Sequence, residues 1–203
     1  YIQRFRGSVI VVKMGGSAME DAAHVESVLT DVTFMECAGM KPVVVHGGGK
    51  AISRGMKAHG IEPKFVQGLR VTCERTIRVV EAVIKGEINK GLVEMLLAKG
   101  ARARAVHGED VLNVRREMRI DPATGEALDL GYVGVPESVR TGPIEALLAE
   151  DVIPVITPLG RGPDGKIYNV NADVAAAAIA KALKARKLAF LSDVPGLLRD
   201  PAD

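Results

Sequence analysis

The stretch Pro42-Val43-Val44-Val45-His46-Gly47-Gly48-Gly49-Lys50 decides the fold of this chain. Three valines end at a polar residue, three glycines follow, and a helical pattern runs from Lys50 to His59. This order predicts a buried parallel strand, a tight glycine turn and a helix N-terminus. Glycine lets backbone N–H groups approach a ligand, and a helix N-terminus carries a partial positive charge. The stretch therefore predicts an anion site, most simply for phosphate, although its spacing matches neither the Walker loop nor the dinucleotide fingerprint.

A second glycine turn follows the first apolar run of the chain. Ser8–Val12 leads through Lys13 and Met14 into Gly15 and Gly16. Each turn alone could be only a tight strand–helix connection. Two such turns at the carboxyl ends of strands in one sheet, with a lysine beside one of them, favour a shared ligand site.

Composition places the chain among ordinary globular proteins. It has 203 residues, of which 47% are hydrophobic and 26% charged, and its formal net charge of +2 is too balanced to indicate nucleic-acid binding. We find no signal-peptide pattern and no apolar run of membrane-spanning length, so we expect no membrane partner and a cytoplasmic location. Cys37 and Cys73 are isolated, which predicts buried free thiols in a reducing compartment.

Strand and helix patterns alternate along the chain. They predict an α/β fold in which an open, mainly parallel sheet is sandwiched between helices. Ser17 and Glu20 have the spacing of a capping box for the first helix. Thr72 is placed to cap a long helix that runs to about residue 100, with a kink at Gly86 or Gly91.

Residues 110–135 carry the signal of a β-hairpin. The turn sequence Ile120-Asp121-Pro122-Ala123-Thr124-Gly125-Glu126 lies between two mixed strands. Val152–Thr157 and Lys187–Leu191 are further strand candidates, and 172–185 has the pattern of an alanine-rich helix.

Four polar residues near strand ends are candidates for chemistry. Arg70 could grip a carboxylate, although its position alone favours an ordinary surface arginine. Asn171 is placed to be a helix N-cap, and Asp173 in the first helical turn is electrostatically favourable whatever its function. Neither interpretation explains Asn169, whose amide could both donate to and accept from a substrate. The segment Ser192–Gly196 could bind a nucleotide or be a plain turn.

These stretches together resemble the amino acid kinase family. The matching segments occur in the family's order across nearly the whole chain, and five together are far more specific than any one. They are Val12-Lys13-Met14-Gly15-Gly16, Val45–Lys50, Gly68-Leu69-Arg70-Val71-Thr72, Asn169-Val170-Asn171-Ala172-Asp173 and Leu191–Gly196. The pairing of the third and fourth segments is similar to the members that phosphorylate N-acetyl-L-glutamate in arginine biosynthesis.

The resemblance implies a role for each matching residue. Lys13 would stabilise the transferring phosphoryl group, and Asp173 would orient the catalytic lysines. The amino-acid substrate would be held by Gly47, Gly48, Arg70 and Asn169, with Arg70 on its α-carboxylate. Gly47 and Gly48 would also line the phosphate path. The phosphate and ATP site would be formed by Gly15, Gly16, Asp193, Val194, Pro195, Gly196, Leu197 and Leu198.

The resemblance also implies the organisation around that site. Residues 1–185 would form the substrate lobe, with the 110–135 hairpin as its lid, and residues 186–203 would begin an ATP-binding lobe. The family's second catalytic lysine would lie beyond Asp203, so we expect the 203-residue chain to be inactive alone. We also expect sequence to be missing at both ends, because residue 1 begins inside a helix-like stretch without an initiator Met and the last strand is not followed by a closing helix. The cofactors would be ATP and Mg²⁺ bound with ATP, and no metal site of the protein's own is expected.

Further partners follow from the same resemblance. Tyr1–Gly7 is similar to the end of a helix that joins dimers into hexamers in arginine-inhibited members. The resemblance therefore implies a homodimer or a hexamer built as a trimer of dimers, with arginine as a feedback inhibitor.

Two other functions remain open from the sequence. A related acyl-phosphate kinase would act on an aminoadipate derivative, which requires a roomier pocket near Asn169. A catalytically inactive binding or regulatory lobe would keep the substrate pocket, but it has little need of Lys13 and Asp173.

Overall fold

The computed structural model describes residues 2–15, 19–121 and 124–191. The strands of this part, in chain order, are β1 (Val9–Met14), β2 (Lys41–His46), β3 (Phe65–Val66), β4 (Leu69–Arg70), β5 (Ala103–Val106), β6 (Leu112–Ile120), β7 (Ala127–Val139), β8 (Ile153–Ile156), β9 (Leu159–Arg161), β10 (Ile167–Val170) and β11 (Lys187–Leu191). The α-helices are α1 (Ala22–Cys37), α2 (Gly49–Ala58), α3 (Glu74–Ala82), α4 (Lys90–Ala98), α5 (Gly142–Ala149) and α6 (Ala172–Ala182). Short 3-10 turns cover Ile2–Phe5 and Gly108–Asp110.

A five-stranded sheet in the order β11-β1-β2-β8-β5 forms the centre of the fold, and all its pairings are parallel. Its central strands β1, β2 and β8 are mostly apolar and buried because helices cover both faces. Val11 packs on one side with residues of α5 and α6. Val12 packs on the other side with residues of α1 and α4. The predicted α/β fold with a mainly parallel sheet between helices is confirmed.

A second, smaller sheet closes on itself in the order β10-β7-β6-β9. Strands β6 and β7 are antiparallel and form the predicted hairpin, which extends to Val139. Pro122 and Ala123 at its turn lie outside the described residues. The sequence did not predict the closed sheet, because β9 has three residues and β10 has four, too few for a period-2 pattern.

Three local predictions are wrong. Helix α1 begins at Ala22, and its N-cap is Asp21, whose carboxylate accepts a hydrogen bond from the Ala23 N–H at 2.8 Å. The predicted capping box of Ser17 and Glu20 therefore does not cap this helix. Ser17 itself lies outside the described residues. Thr72 does not cap α3, whose N-cap is Cys73. Both cysteines are free, as expected, but exposed and not buried.

The predicted long helix is continuous, but it contains π-helical turns where a kink was expected. Between α3 and α4 the turns Val83–Asn89 are π-helical, and Gly86 lies within them. Insertions of this kind occur frequently at functional sites. Within the described residues, no helix combines the length and apolar character needed to cross a membrane.

Candidate functional site

Both predicted glycine turns line one pocket at the carboxyl edge of the parallel sheet, as such folds favour. Strand β1 contributes Lys13 and leads to Gly15, and strand β2 leads to the glycines before α2. The described site candidates that line the pocket are Lys13, Gly15, Gly47, Gly48, Arg70, Asn169 and Asp173. The remaining candidates, Gly16, Asp193, Val194, Pro195, Gly196, Leu197 and Leu198, lie outside the described residues.

Lys13 is a buried cation in this pocket. It is 7% exposed, and its Nζ lies 2.9 Å from Oδ1 of Asp173, whose side chain is half exposed. Asp173 stands in the first turn of α6, where the Asn171 side chain caps the helix by accepting from the N–H groups of Asp173 at 2.8 Å and Val174 at 3.2 Å. A Cβ on Gly15 would lie 2.6 Å from Cε of Lys13, so a side chain there would displace the lysine.

The turn at Gly47–Gly49 presents the start of α2 to the pocket. Gly48 is the N-cap residue, no side chain of the described residues caps the helix, and its first turn holds no acidic residue. The first N–H groups of a helix have no partner within it, so those of α2 remain to bind an anion. The Gly47 N–H is not among them, because it donates to the Met14 carbonyl at 2.7 Å. Gly47 lines the pocket, and its N–H is engaged within the protein.

Arg70 is not an ordinary surface arginine. It is 5% exposed, and its Nη2 donates to the Gly49 carbonyl at 2.8 Å and to Ser53 Oγ at 2.9 Å. The Phe65 ring lies 4.6 Å from the guanidinium carbon, a cation–π contact. Burial lowers the pKa of Arg70, but a guanidinium remains charged in proteins. These contacts fix the charge beside the N-terminus of α2.

Asn169 and the segment after it complete the wall. Asn169 lies in β10 between Val133 of β7 and Leu159 of β9. The small closed sheet therefore carries this amide to the end of the parallel sheet. Phe65, Gly68 and Leu69 of the β3–β4 turn line the same pocket.

Two buried polar residues behind the glycine turn form a pair that the sequence did not predict. His46 is fully buried and Asn89, the last residue of the π-helical turns, is 1% exposed. Asn89 Nδ2 lies 3.0 Å from His46 Nε2, and His46 Nδ1 lies 2.9 Å from the Gly47 carbonyl oxygen. Burial lowers the pKa of His46 to about 4. The available signal was an asparagine directly after the apolar stripe that ends in Ile84 and Ile88.

The matching family model is described as "Amino acid kinase family", and it covers residues 8–203. The chain belongs to the amino acid kinase family. A relative from Caldanaerobacter subterraneus subsp. tengcongensis, named acetylglutamate kinase, is 48% identical over 203 residues, which is 100% of this chain and 66% of that protein. Further relatives with the same name are 42–45% identical. This amino acid kinase chain thus spans about two thirds of the length of the curated relatives it matches.

Solved structures agree with this assignment. The smu.665 protein of Streptococcus mutans UA159 is 31% identical and superposes with a TM-score of 0.81 over 95% of this chain and 75% of its own. N-acetylglutamate synthase of Neisseria gonorrhoeae, solved with coenzyme A and N-acetyl-glutamate, is 26% identical with a TM-score of 0.82, over 99% of this chain and 45% of its own.

Proposed function

We propose that this amino acid kinase transfers the γ-phosphoryl group of ATP to the γ-carboxylate of N-acetyl-L-glutamate, giving N-acetyl-L-glutamyl 5-phosphate in arginine biosynthesis. The observation that carries the proposal is one pocket in which the buried Lys13, the uncapped N-terminus of α2 and the buried Arg70 meet. This donor set fits a phosphate and a carboxylate side by side. The relatives named acetylglutamate kinase support the choice of substrate.

The substrate carboxylates would be divided between two parts of the pocket. Arg70, whose Nη2 hydrogens are taken by Gly49 and Ser53, presents a fixed positive charge to the α-carboxylate, and Asn169 offers an amide to the acetylated end. Gly47 and Gly48, which lack side chains, would leave room for the substrate to approach the end of β2. The γ-carboxylate would then lie near Lys13 and the start of α2.

The reaction needs no general base, since the γ-carboxyl group of a glutamate ordinarily has a pKa of about 4.3 and is already ionised at neutral pH. Its oxygen would attack the γ-phosphorus, while the bond to the bridging oxygen of ADP breaks and that oxygen keeps the electron pair. Lys13 and the N–H groups at the start of α2 would stabilise the charge on the transferring group, and Asp173 would hold Lys13 in place. His46 takes no proton in this scheme, because both its ring nitrogens are already hydrogen-bonded inside the protein.

The remaining residues that match the family motifs would form the ATP-binding side of the site. ATP, with Mg²⁺ bound through its phosphates, would contact Gly15, Gly16 and residues 193–198. Among the described residues, no group of three His, Cys, Asp or Glu side chains could hold a metal ion. Residues 1–185 would form the substrate lobe, and residues 186–203 the start of the ATP lobe.

The proposal also covers the location, the oligomeric state and the inhibitor of the enzyme. The complete protein would act in the cytoplasm as a homodimer or as a hexamer built from three dimers, with arginine as a candidate feedback inhibitor. Size-exclusion chromatography with light scattering, run with and without arginine, tests these assignments.

The deciding experiment measures ADP release by the complete protein with N-acetyl-L-glutamate and, separately, with N-acetyl-L-2-aminoadipate. We expect turnover with the first acid, and we expect Lys13→Ala to abolish it. Lys181→Ala, which removes an exposed lysine on α6, is the matched control and should keep full activity. Preference for the aminoadipate derivative would reassign the substrate. Binding of N-acetyl-L-glutamate without turnover would make the protein a binding module.

A further inference from the structure

The proton on the His46 ring can be placed from its neighbours. Asn89 Nδ2 lies 2.9 Å from the Val155 carbonyl oxygen as well as 3.0 Å from His46 Nε2. A carbonyl only accepts hydrogen bonds, so the NH₂ group of Asn89 faces both atoms. His46 Nε2 is therefore the acceptor of the second bond. The ring proton is on Nδ1, which donates to the Gly47 carbonyl at 2.9 Å.

This bond sets the direction of the next N–H group. The Gly47 carbonyl and the Gly48 N–H belong to one planar peptide, and the described chain has no cis peptide bond. In a trans peptide the two groups point in opposite directions. Because the carbonyl points at the buried His46 ring, the Gly48 N–H points away from the ring. Gly48 lines the pocket, and it also lines the neighbouring cavity beside Ile88.

The preceding peptide is fixed as well. The Gly47 N–H donates to the Met14 carbonyl at 2.7 Å, so both polar groups of Gly47 are engaged by the protein. Glycine would otherwise sample many backbone conformations. The two bonds restrict a flexible residue to one orientation.

The π-helical turns hold this arrangement from the core side. Ile88 packs against the turn so closely that a Cβ on Gly48 would lie 2.5 Å from Cδ1 of Ile88. The next residue, Asn89, supplies the hydrogen bond to His46. Two consecutive residues, Ile88 and Asn89, thus contact the backbone of Gly48 and the side chain of His46, respectively.

We propose that His46, kept in its Nδ1–H form by Asn89, is a positioning residue that aims the Gly48 N–H at the phosphoryl group transferred in the pocket. The inference rests on the proposed function. His46 does not touch the substrate and acts only through the Gly47–Gly48 peptide. A donor aimed at charge that develops in the transition state affects kcat more than substrate binding. The lowered pKa of His46 agrees with a neutral ring at physiological pH.

Two amide substitutions test the inference in the complete protein. The amide nitrogen of His46→Asn reaches the position of Nδ1, whereas that of His46→Gln reaches the position of Nε2. We expect His46→Asn to keep kcat within about threefold and His46→Gln to lower it about 10- to 100-fold, by comparison with the roughly 100- to 1,000-fold loss typical when an oxyanion donor is removed. KM for N-acetyl-L-glutamate should change less than about threefold in both, since uniform binding is unaffected.

A structural role alone would give another pattern. Gln is closer to His in volume and should then be tolerated better than Asn. Thr157→Val is the matched control, because the buried Thr157 hydroxyl accepts from the Gly108 N–H at 2.7 Å at the end of the neighbouring strand β8. It should lower the midpoint of urea unfolding and leave kcat unchanged. Equal kcat for the two His46 variants would overturn the inference.

A measurement on the unchanged protein separates this inference from the proposed function. ¹⁵N-detected NMR of the His46 ring should show the proton on Nδ1 and a bare Nε2 across neutral pH. A proton on Nε2 would overturn the positioning arrangement even if the enzyme phosphorylates N-acetyl-L-glutamate. An Nδ1 proton in a protein that does not phosphorylate this acid would support the hydrogen-bond arrangement of His46 but would refute the proposed substrate.

Discussion

Lys13 and Asp173 form the ion pair at the centre of the pocket, and their exposures differ. The lysine side chain is 9% exposed and the aspartate side chain 55%. A pair with one partner open to solvent contributes little to stability, typically below about 1 kcal/mol. The carboxylate therefore matters chiefly for where the ammonium group is held.

Asp173→Asn should separate these two contributions. The amide keeps the size of the side chain but loses the charge that holds Lys13, so we expect kcat to fall about 10- to 100-fold, in the range of lost electrostatic stabilisation. The urea midpoint should move little. Steady-state kinetics and urea unfolding of the complete protein check this. Asp31→Asn, on the exposed face of α1, is the control, and a large stability loss in Asp173→Asn with unchanged kcat would contradict the assignment.

His46 makes the stability of the protein depend on pH. Its pKa is about 4 in the folded protein against 6.5 for the free side chain, because burial disfavours the charged ring. A folded-state pKa below the unfolded value means that the unfolded chain binds the proton better. The contribution is complete above pH 6.5 and is lost as the pH falls toward 4. We expect about 2 kcal/mol less stability at about pH 5 than at about pH 8 from this residue.

Urea unfolding at several pH values measures that loss. The His46→Asn variant has no ring to titrate, so its stability should fall less over the same interval. The difference between the two slopes isolates His46 from carboxylates such as Asp151, whose pKa the Lys41 hydrogen bond lowers. Identical slopes would show that the ring already titrates as it does in the unfolded chain.

Sequence reasoning found the residues at strand ends more readily than those behind them. Lys13 and His46 each follow an apolar run directly, so their placement at the sheet edge could be predicted. Asn89 could not, because its two partners, His46 and Val155, are brought to it only by the folded sheet. The burial of Arg70 was missed for the same reason, since it depends on Gly49 and Ser53 of α2.

At the scale of elements, one close backbone contact joins the small closed sheet to the pocket. Gly131 of β7 has a φ of +77°, and a Cβ there would lie 2.9 Å from the carbonyl carbon of Thr72. Backbone bonds on either side, from Thr72 N–H to Leu130 O at 2.8 Å and from Tyr132 N–H to Thr72 O at 2.7 Å, fix the approach. The segment that carries Arg70 is therefore held by β7.

Gly131→Ala should disturb both stability and substrate binding. The left-handed conformation costs an alanine about 1–2 kcal/mol, and the clash with the Thr72 backbone adds to it, so we expect a loss above about 3 kcal/mol. KM for N-acetyl-L-glutamate should rise, since Arg70 lies just before Thr72 in the chain.

The control for this prediction lies in the same hairpin. Gly125 has a φ of +72°, but no atom of the described residues lies within 4 Å of an added Cβ. Gly125→Ala should therefore cost only the conformational term, about 1–2 kcal/mol, and leave KM unchanged. Urea unfolding and kinetics of both variants test the distinction. Equal losses of stability would show that the Thr72 backbone moves away from the added Cβ without a measurable free-energy penalty.

Helices and strands whose pattern extends over many residues could be predicted, whereas helix ends, which depend on a single capping residue, were predicted less well. Long apolar runs indicated the parallel strands, and the long helix pattern indicated α3 and α4. The starts of α1 and α3 were wrong because neighbouring polar residues compete for the cap, whereas Asn171 caps α6 as expected. The Thr72 hydroxyl donates to the Arg70 carbonyl at 2.8 Å, which leaves Cys73 at the cap position.

At the scale of the molecule, the pocket is built largely within residues 13–173, so the 203-residue polypeptide should bind the amino-acid substrate without turning it over. We expect weak binding of N-acetyl-L-glutamate by calorimetry and no ADP release, because the chain spans only about two thirds of the length of the curated relatives it matches. Arg70→Ala should abolish the binding heat, and Arg78→Ala, an exposed arginine on α3, should not. ADP release at the rate of the complete protein would refute the expectation.

The order of the central sheet also determines when the protein can fold during synthesis. Strand β1 lies between β2 and β11, and its Ile10 pairs with Lys187. At about 5–20 residues per second, a ribosome needs on the order of ten seconds or more to supply that partner. Until then one edge of the strand that carries Lys13 stays open to any other extended chain. Nascent chains of this protein should accordingly depend on chaperones that shield strand edges, until residues 187–191 leave the exit tunnel.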